Sequence, residues 1–461
     1  MMNVPELTAH IRHHLHTDPA GIAAHLDGLR DADVADVLNG LLPAEAAAVV
    51  ELLSEKRAVG VFDQPTLRRR GRIFEQLPPE RAVTILAGMA ADERVDAVKS
   101  MSPHERTRIL AKLDASTRTE VEQLSRYPDH TAGGIMTTEF VRLDPALTAA
   151  QALEHVRAVA RDRESIYACY VVDSAGKLLG AVSLRDLVVA EPNKPVADVM
   201  RRNPLSVGVL DDRLEAARKI GKYNLLAVPV IESDGRVVGF VTVDDIIDVL
   251  IEKQTEDVLR MGAVEPGALD DPYLATPFYT LVKKRAVWLV ILFLSEMLTA
   301  TAMGFFEDEI AKAVVLALFV PLIISSGGNS GSQAASLIIR ALALREVTLG
   351  DWWKVMRREI YSGLMLGGLL GSIGFLRIAV WTIFTPIYGP HWALIGLTVG
   401  LSLVGIIMWG TLSGSMLPFI LKKLGADPAT SSAPFVATLV DVTGLVIYFT
   451  VAMVVLRGTL L

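Results

Sequence analysis

From about residue 286 onward the chain carries five apolar stretches, near residues 286–306, 311–340, 360–384, 392–421 and 434–456, each long enough to cross a bilayer. No water is available there to satisfy exposed backbone groups, so this half is restricted to a bundle of membrane-spanning helices. The longer runs must tilt, break or protrude. Pro321, followed by Ser325, Ser326, Gly327, Gly328 and Asn329, predicts a break in the second.

Most charged residues fall before about residue 285, so a soluble half precedes the membrane half. The first residues, MMNVPELTAHIRHHLH, hold no apolar core of a signal peptide, and the soluble half is expected in the cytoplasm. Loop charges predict the same orientation. Lys283, Lys284 and Arg285 precede the first run, Arg340, Arg345, Lys354, Arg357 and Arg358 separate the second from the third, and Lys422 and Lys423 follow the fourth. Glu307, Asp308 and Glu309 lie on the opposite side, which puts Leu461 outside a cell (inner) membrane.

The net charge of −7 and the lack of a basic stripe with interleaved aromatics argue against a nucleic-acid partner. Cys169 is the only cysteine, which excludes an intrachain disulfide and reads as a core residue. His10, His13, His14 and His16 cluster without an acidic or cysteine ligand beside them, so they read as a solvated helix end rather than a metal site.

Residues 5–126 carry Leu, Ala and Val at three- and four-residue spacing, with helix starts at LLPAE (41–45), LPPE (77–80) and MSPHE (101–105). Short helices at this interval predict an all-α superhelical N-domain over residues 1–130. Residues 131–250 hold an internal repeat. Met136 corresponds to Met200, DSAG at 173–176 to ESDG at 232–235, and Gly180 to Gly239. Each copy reads strand, helix, hairpin, helix, and the pair resembles tandem CBS domains of α+β type. From its end a helix continues, and Asp244, Asp248, Glu252 and Glu256 recur at i, i+4 with Asp245 and Asp257 beside them. Like charges at that spacing cost about 0.2–0.5 kcal/mol per pair, which a bound cation would offset; the other reading is an ordinary solvated acidic face.

Inside the fifth run stands Asp441. A carboxylate near a bilayer centre costs about 2.5–3.5 kcal/mol on insertion scales, so it faces protein or a water-filled path. One reading makes it an ion ligand. The other keeps it protonated and hydrogen-bonded to a neighbouring helix through Thr438 or Thr443. The second run contains GGNSGSQAAS at 327–336, whose glycines permit close backbone approach while Asn329, Ser330, Ser332 and Gln333 present polar groups. Packing with polar glue is the competing reading there. Asp427 lies near the cytoplasmic end. Hard oxygen ligands without Cys or His suit Mg²⁺ or Ca²⁺.

The motifs YPDHTAGGIMTTEF, TEDV, GGNSGSQAASLIIRAL and LGADPATSSAPFVATLVDVTGLVIYF, in this order, resemble the MgtE family of magnesium channels over nearly the whole chain. The resemblance implies a connecting "plug" helix and linker at 251–284 and an all-α transmembrane domain of five helices at 285–461. It further implies a non-enzymatic homodimer in a lipid bilayer, with a pore on the two-fold axis. Asp441 takes the pore aspartate's place, with Ala437, Thr438, Gly328 and Asn329 around it and Asp427 at the pore entrance. Regulatory Mg²⁺ is implied at Asp92, Asp96, Asp244, Asp248, Glu252, Glu256 and Asp257, holding the pore shut when internal Mg²⁺ is plentiful. Adenine nucleotide such as ATP at the CBS pair is a further implication, with Asp186 and Asp245 at the ends of the repeats. Ser332 and Ala433 depart from the family pattern near the pore mouth. Two other functions stay open: a broader divalent-cation channel or proton-coupled exporter, and a membrane-anchored CBS nucleotide sensor.

Overall fold

The computed structural model describes residues 4–15, 17–163, 165–265, 273 and 276–460; His16 and most of the linker at 266–275 lie outside them. The chain divides into two compact units, residues 1–253 with 268–275, and residues 254–267 with 276–461.

In the first unit, ten helices run from α1 (Val4–His14) to α10 (Ala115–Leu124) among the described residues. None of α2, α4, α7 and α8 ends on a left-handed glycine, and arginines arriving from elsewhere satisfy the carbonyls that a helix terminus leaves open. Arg57 donates to Asp27 O (3.1 Å) at the end of α2 (Pro19–Asp27), and Arg81 to Leu53 O (2.6 Å) after α4 (Pro43–Leu52). Arg94 donates to Leu86 O (2.8 Å) in the last turn of α7 (Pro79–Gly88), and Arg106 to Val98 O (3.0 Å) near the end of α8 (Ala91–Ser100). The stacked helices bury Phe62 and Phe74 against each other at 4.4 Å.

The CBS pair follows. Its first half is β1 (Val141–Leu143), α11 (Ala149–Val159), β2 (Ala168–Val172), β3 (Leu178–Ser183) and α12 (Leu184–Val189). After α13 (Val196–Val199) and β4 (Arg201–Arg202) the second half is β5 (Val207–Gly208), α14 (Arg213–Tyr223), β6 (Ala227–Ile231), β7 (Val237–Thr242) and α15 (Val243–Met261). The sheets are ordered β1-β2-β3-β4 and β5-β6-β7, each with one parallel edge pair and one antiparallel hairpin. Gly176 and Gly235 turn the two hairpins at φ +80° and +85°, where a side chain would be strained. The repeats exchange their opening methionines. A Cβ on Gly180 would lie 2.5 Å from Met200 Sδ, and one on Gly239 would lie 2.7 Å from Met136 Sδ. Each methionine thus packs on the hairpin glycine of the other repeat, and Cys169 is buried in the first-half core.

The second unit holds five helical segments long and apolar enough to cross a membrane, among the described residues: Phe278–Phe305, Val314–Ala343, Leu349–Phe384, Trp392–Lys423 and Ala433–Val455. Their helices are α16 (Phe278–Phe305), α18 (Val320–Ala343), α19 (Trp352–Phe384), α20 (Trp392–Lys423) and α21 (Ala433–Val455), with the short α17 (Glu307–Lys312) after α16. The break expected at Ser325–Asn329 is absent, and α18 runs unbroken through it. Pro321 sits in the first turn, where no intrahelical donor is lost. The irregular backbone comes earlier, as a 3₁₀ turn over Val314–Phe319, and the buried Tyr448 hydroxyl donates to its Leu316 carbonyl at 2.9 Å. That bond supplies the internal partner that non-helical backbone at membrane depth requires. Gly363, Gly367, Gly371 and Gly374, spaced by four, four and three residues, form the buried stripe of α19 against α20, and the first three let the two helices approach backbone to backbone.

Candidate ion path and acidic cluster

Helices α18, α20 and α21 meet through glycine. A Cβ on Gly414 would stand 2.0 Å from Gly331 O, and one on Gly327 would stand 2.5 Å from Ile406 Cγ2 and 2.7 Å from Val440 Cγ1. At Gly328 the same construction reaches Ala437 Cβ at 3.3 Å and Asp441 Oδ1 at 3.7 Å. The GGN segment therefore lies directly against the Ala437–Asp441 face of α21. Asp441, Ala437 and Thr438 are half-buried and Asn329 is exposed on the single chain. The Thr438 hydroxyl donates back to Pro434 O at 3.0 Å, while Thr443 donates to Leu439 O and accepts from the Trp409 indole at 2.7 Å. Neither threonine hydroxyl is spent on Asp441, so the packed-acid reading loses the partners it named. Ser332, one of the departures from the family pattern, donates to the carbonyl of the other, Ala433, at 3.2 Å and ties α18 to the start of α21.

A second carboxylate escaped the sequence reading. Glu296 sits in the middle of α16, which packs against α21. Phe306 at the end of α16 stacks on Phe449 of α21 at 5.0 Å. Glu296 lies ten residues before Phe306 and Asp441 eight before Phe449. At about 1.5 Å per residue both are roughly 12–15 Å along their helices from that stack, hence nearly level. The signal was available, since an acid within WLVILFLSEMLTATA raises the same cost argument as Asp441.

Asp427 caps a 3₁₀ turn through Ala429 N (2.9 Å) and pairs with Arg260 of α15 at 2.9 Å. Arg260 also pairs with Glu256. The carboxylate expected at the pore entrance is thus held in a three-member charge chain.

The first unit gathers Asp92 and Asp96 of α8 with Asp244, Asp245 and Asp248 of α15, and adds Asp63 and Glu93, which sequence reasoning did not single out. Burial pushes the Glu93 carboxyl up to about 8 despite Arg70 beside it, and burial together with the Asp92 charge takes Asp245 to about 8. Burial likewise lifts Asp63 to about 6. Asp92 and Asp248 are raised by burial and, more weakly, by Asp244. Asp92 Oδ1 is buried with no hydrogen-bond partner among the described residues. Two buried guanidiniums offset part of this charge: Arg70, paired with Glu93 and donating to Gln64 O at 2.6 Å, and Arg94 of α8, paired with Glu120 at 2.8 Å. Glu252 is drawn away instead, pairing with Arg213 at 2.8 Å. Among the described residues no three Asp, Glu, His or Cys side chains are disposed to ligate one ion directly, the histidines of α1 included.

Five apolar helices with carboxylates at mid-depth, preceded in the chain by a helical domain and a CBS pair, define a multi-pass α-helical membrane protein with a CBS-containing soluble half. Residues 320–451 match the MgtE family, described as divalent cation transporter, residues 29–130 the MgtE intracellular N domain, and residues 132–193 and 196–252 the CBS domain. The chain is 43% identical over 346 residues to the magnesium transporter MgtE of Thermus thermophilus, covering 75% of this chain and 74% of that one. It is 34% identical over 338 residues to the magnesium transporter MgtE of Enterococcus faecalis, covering 73% and 72%. A crystal structure of the soluble part of a magnesium transporter matches at 31% identity and TM-score 0.49, covering 54% of this chain and 99% of that one. The chain belongs to the MgtE family of magnesium transporters.

Proposed function

We propose that this protein is a Mg²⁺-selective channel for magnesium uptake, working as a homodimer in the cell (inner) membrane with its soluble half in the cytoplasm and Leu461 outside. The observation that carries this reading is the Asp441 carboxylate, which no hydroxyl of its own helix engages and which lies beside the GGN segment at the centre of a membrane bundle. Two copies of Asp441 facing across a two-fold axis supply two negative charges to one divalent ion. Asn329, Thr438 and the Ala437 backbone read the water shell that Mg²⁺ sheds reluctantly. Asp427, balanced by Arg260, sits at the cytoplasmic mouth.

The same proposal assigns gating to the acidic cluster. Hydrated Mg²⁺ at Asp92, Asp96, Asp244 and Asp248 screens carboxylates that otherwise repel and favours proton release from the neighbouring Glu93 and Asp245, and Mg²⁺ loss lets the acidic faces separate. Glu252, Glu256 and Asp257 continue the acidic face along α15 and carry the change toward the membrane half. Adenine nucleotide at the CBS pair would share Asp245 with the Thr242 backbone amide and hydroxyl, which already donate to its carboxylate. Mg²⁺ influx into proteoliposomes tests the whole. Influx should fall when millimolar Mg²⁺ bathes the cytoplasmic face, and influx indifferent to Mg²⁺ there would sink the gating assignment. One observation favours a second reading, a proton-coupled exporter: Glu296 of α16 stands nearly level with Asp441 of the adjoining α21 and adds a second ionisable group at that depth. Flux driven by a pH gradient alone separates it from the channel.

A further inference from the structure

At the start of α19, Lys354, Arg357, Arg358, Tyr361, Ser362 and Met365 line one cleft of about 590 Å³. Their spacing of three and four residues puts all six on a single helix face. The opposite face is the glycine stripe packed on α20, so this one points away from the helical core of the bundle. Lys354 is held by Asp351 at 2.8 Å. Arg357 and Arg358 are exposed, and neither makes a hydrogen bond or ion pair with another described residue. The character of the cleft changes along its length. Cationic groups stand beside the exposed Trp352 and Trp353, in the manner of an interfacial aromatic belt, while Tyr361 (64% exposed) and Met365 (78% exposed) continue into the apolar span.

The geometry points to a binding site for an anionic phospholipid of the adjacent leaflet. The lipid phosphate is held by Arg357, Arg358 and the Ser362 hydroxyl, and an acyl chain lies over Tyr361 and Met365. A guanidinium is the side chain best matched to phosphate oxygens, and two whose N–H groups bond no described residue, with Glu359 the nearest opposing charge to Arg358, give a bidentate cradle. A free phosphate would leave the Tyr361–Met365 floor uncovered; a phospholipid covers both ends. The site is separate from Asp441 and from the acidic cluster, and stands whether or not the ion assignments do.

The test is native mass spectrometry of the full-length protein, stripped of lipid in detergent and titrated with phosphatidylglycerol or phosphatidylcholine. Wild type should retain phosphatidylglycerol at concentrations roughly 10-fold or more below phosphatidylcholine, and Arg357→Gln with Arg358→Gln should weaken that retention roughly 10- to 30-fold, as expected for removing two interfacial cations. Met365→Glu, which places a charge under the acyl chain, should weaken it as well. Millimolar glycerol phosphate should displace nothing. Equal retention of the two lipids by wild type overturns the proposal without recourse to any variant. So does displacement by glycerol phosphate, which would make this a small-anion site, and so does a wild type that retains no phosphatidylglycerol because a second copy of the chain covers the face.

Discussion

Gly328 and Asp441 are set so that a Cβ on the first would lie 3.7 Å from the carboxylate oxygen of the second. The bare backbone of Gly328 therefore faces the carboxylate with room for little more than a methyl group between them. Gly328→Ala brings a methyl to 3.3 Å from Ala437 Cβ and 3.7 Å from Asp441 Oδ1, a contact that a shift of a few tenths of an ångström relieves, and should leave the fold intact while shifting Mg²⁺ flux. Gly414→Ala collides with the Gly331 backbone and should destabilise the bundle by about 3 kcal/mol, the upper range for overpacking. Thermal unfolding in detergent beside flux distinguishes the two. Equal loss of stability in both would show that Gly328 matters for packing alone.

Glu296→Gln removes one of two level carboxylates. Its effect should be smaller than that of removing Asp441, on the order of a tenfold loss of apparent Mg²⁺ affinity, as expected for one charge acting at a distance. Affinity from concentration-dependent flux checks this, and an unchanged value would make Glu296 a bystander.

The acidic cluster predicts an inverted pH dependence. Burial raises Glu93 and Asp245 to about 8 and Asp63 to about 6, above their values in the unfolded chain. Between about pH 4 and pH 8 the folded state then binds more protons than the unfolded one, so stability falls as pH rises. In EDTA, the soluble half of the full-length protein should melt lower at about pH 8.5 than at about pH 5.5, and millimolar Mg²⁺ should narrow the gap. A melting temperature that rises with pH in EDTA would contradict the cluster's assigned state.

Arg260 joins Glu256 to Asp427, with 26% and 22% of the Arg260 and Asp427 side chains exposed. A double-mutant cycle of Arg260→Ala and Asp427→Ala should give a coupling energy of about 1–2 kcal/mol in unfolding. Additive losses would reduce the pair to an incidental contact.

Much of this architecture was legible because it is periodic. Apolar runs revealed the five spans, and the matched Met136/Met200 and Gly180/Gly239 pairs revealed the CBS repeat, although not that each methionine packs on the other repeat's glycine. Asp441 stood out because an acid in an apolar run carries a cost, and Glu296 obeys the same rule. What sequence could not supply was competition for partners. Arg213 takes Glu252, Arg70 enters the acidic cluster, and Pro321 falls in a first turn rather than inside a helix. Each depends on which element lies opposite, a three-dimensional fact that spacing along the chain does not encode.

The most direct test of the central claim is Mg²⁺ flux into proteoliposomes carrying wild type, Asp441→Asn or Asp441→Ala, with Ca²⁺ as external competitor. Both substitutions should abolish Mg²⁺ flux or open it to Ca²⁺, while wild type passes Mg²⁺ with Ca²⁺ present. Unchanged, Ca²⁺-resistant flux in both variants would make Asp441 a packing residue and move the ion path elsewhere in the bundle.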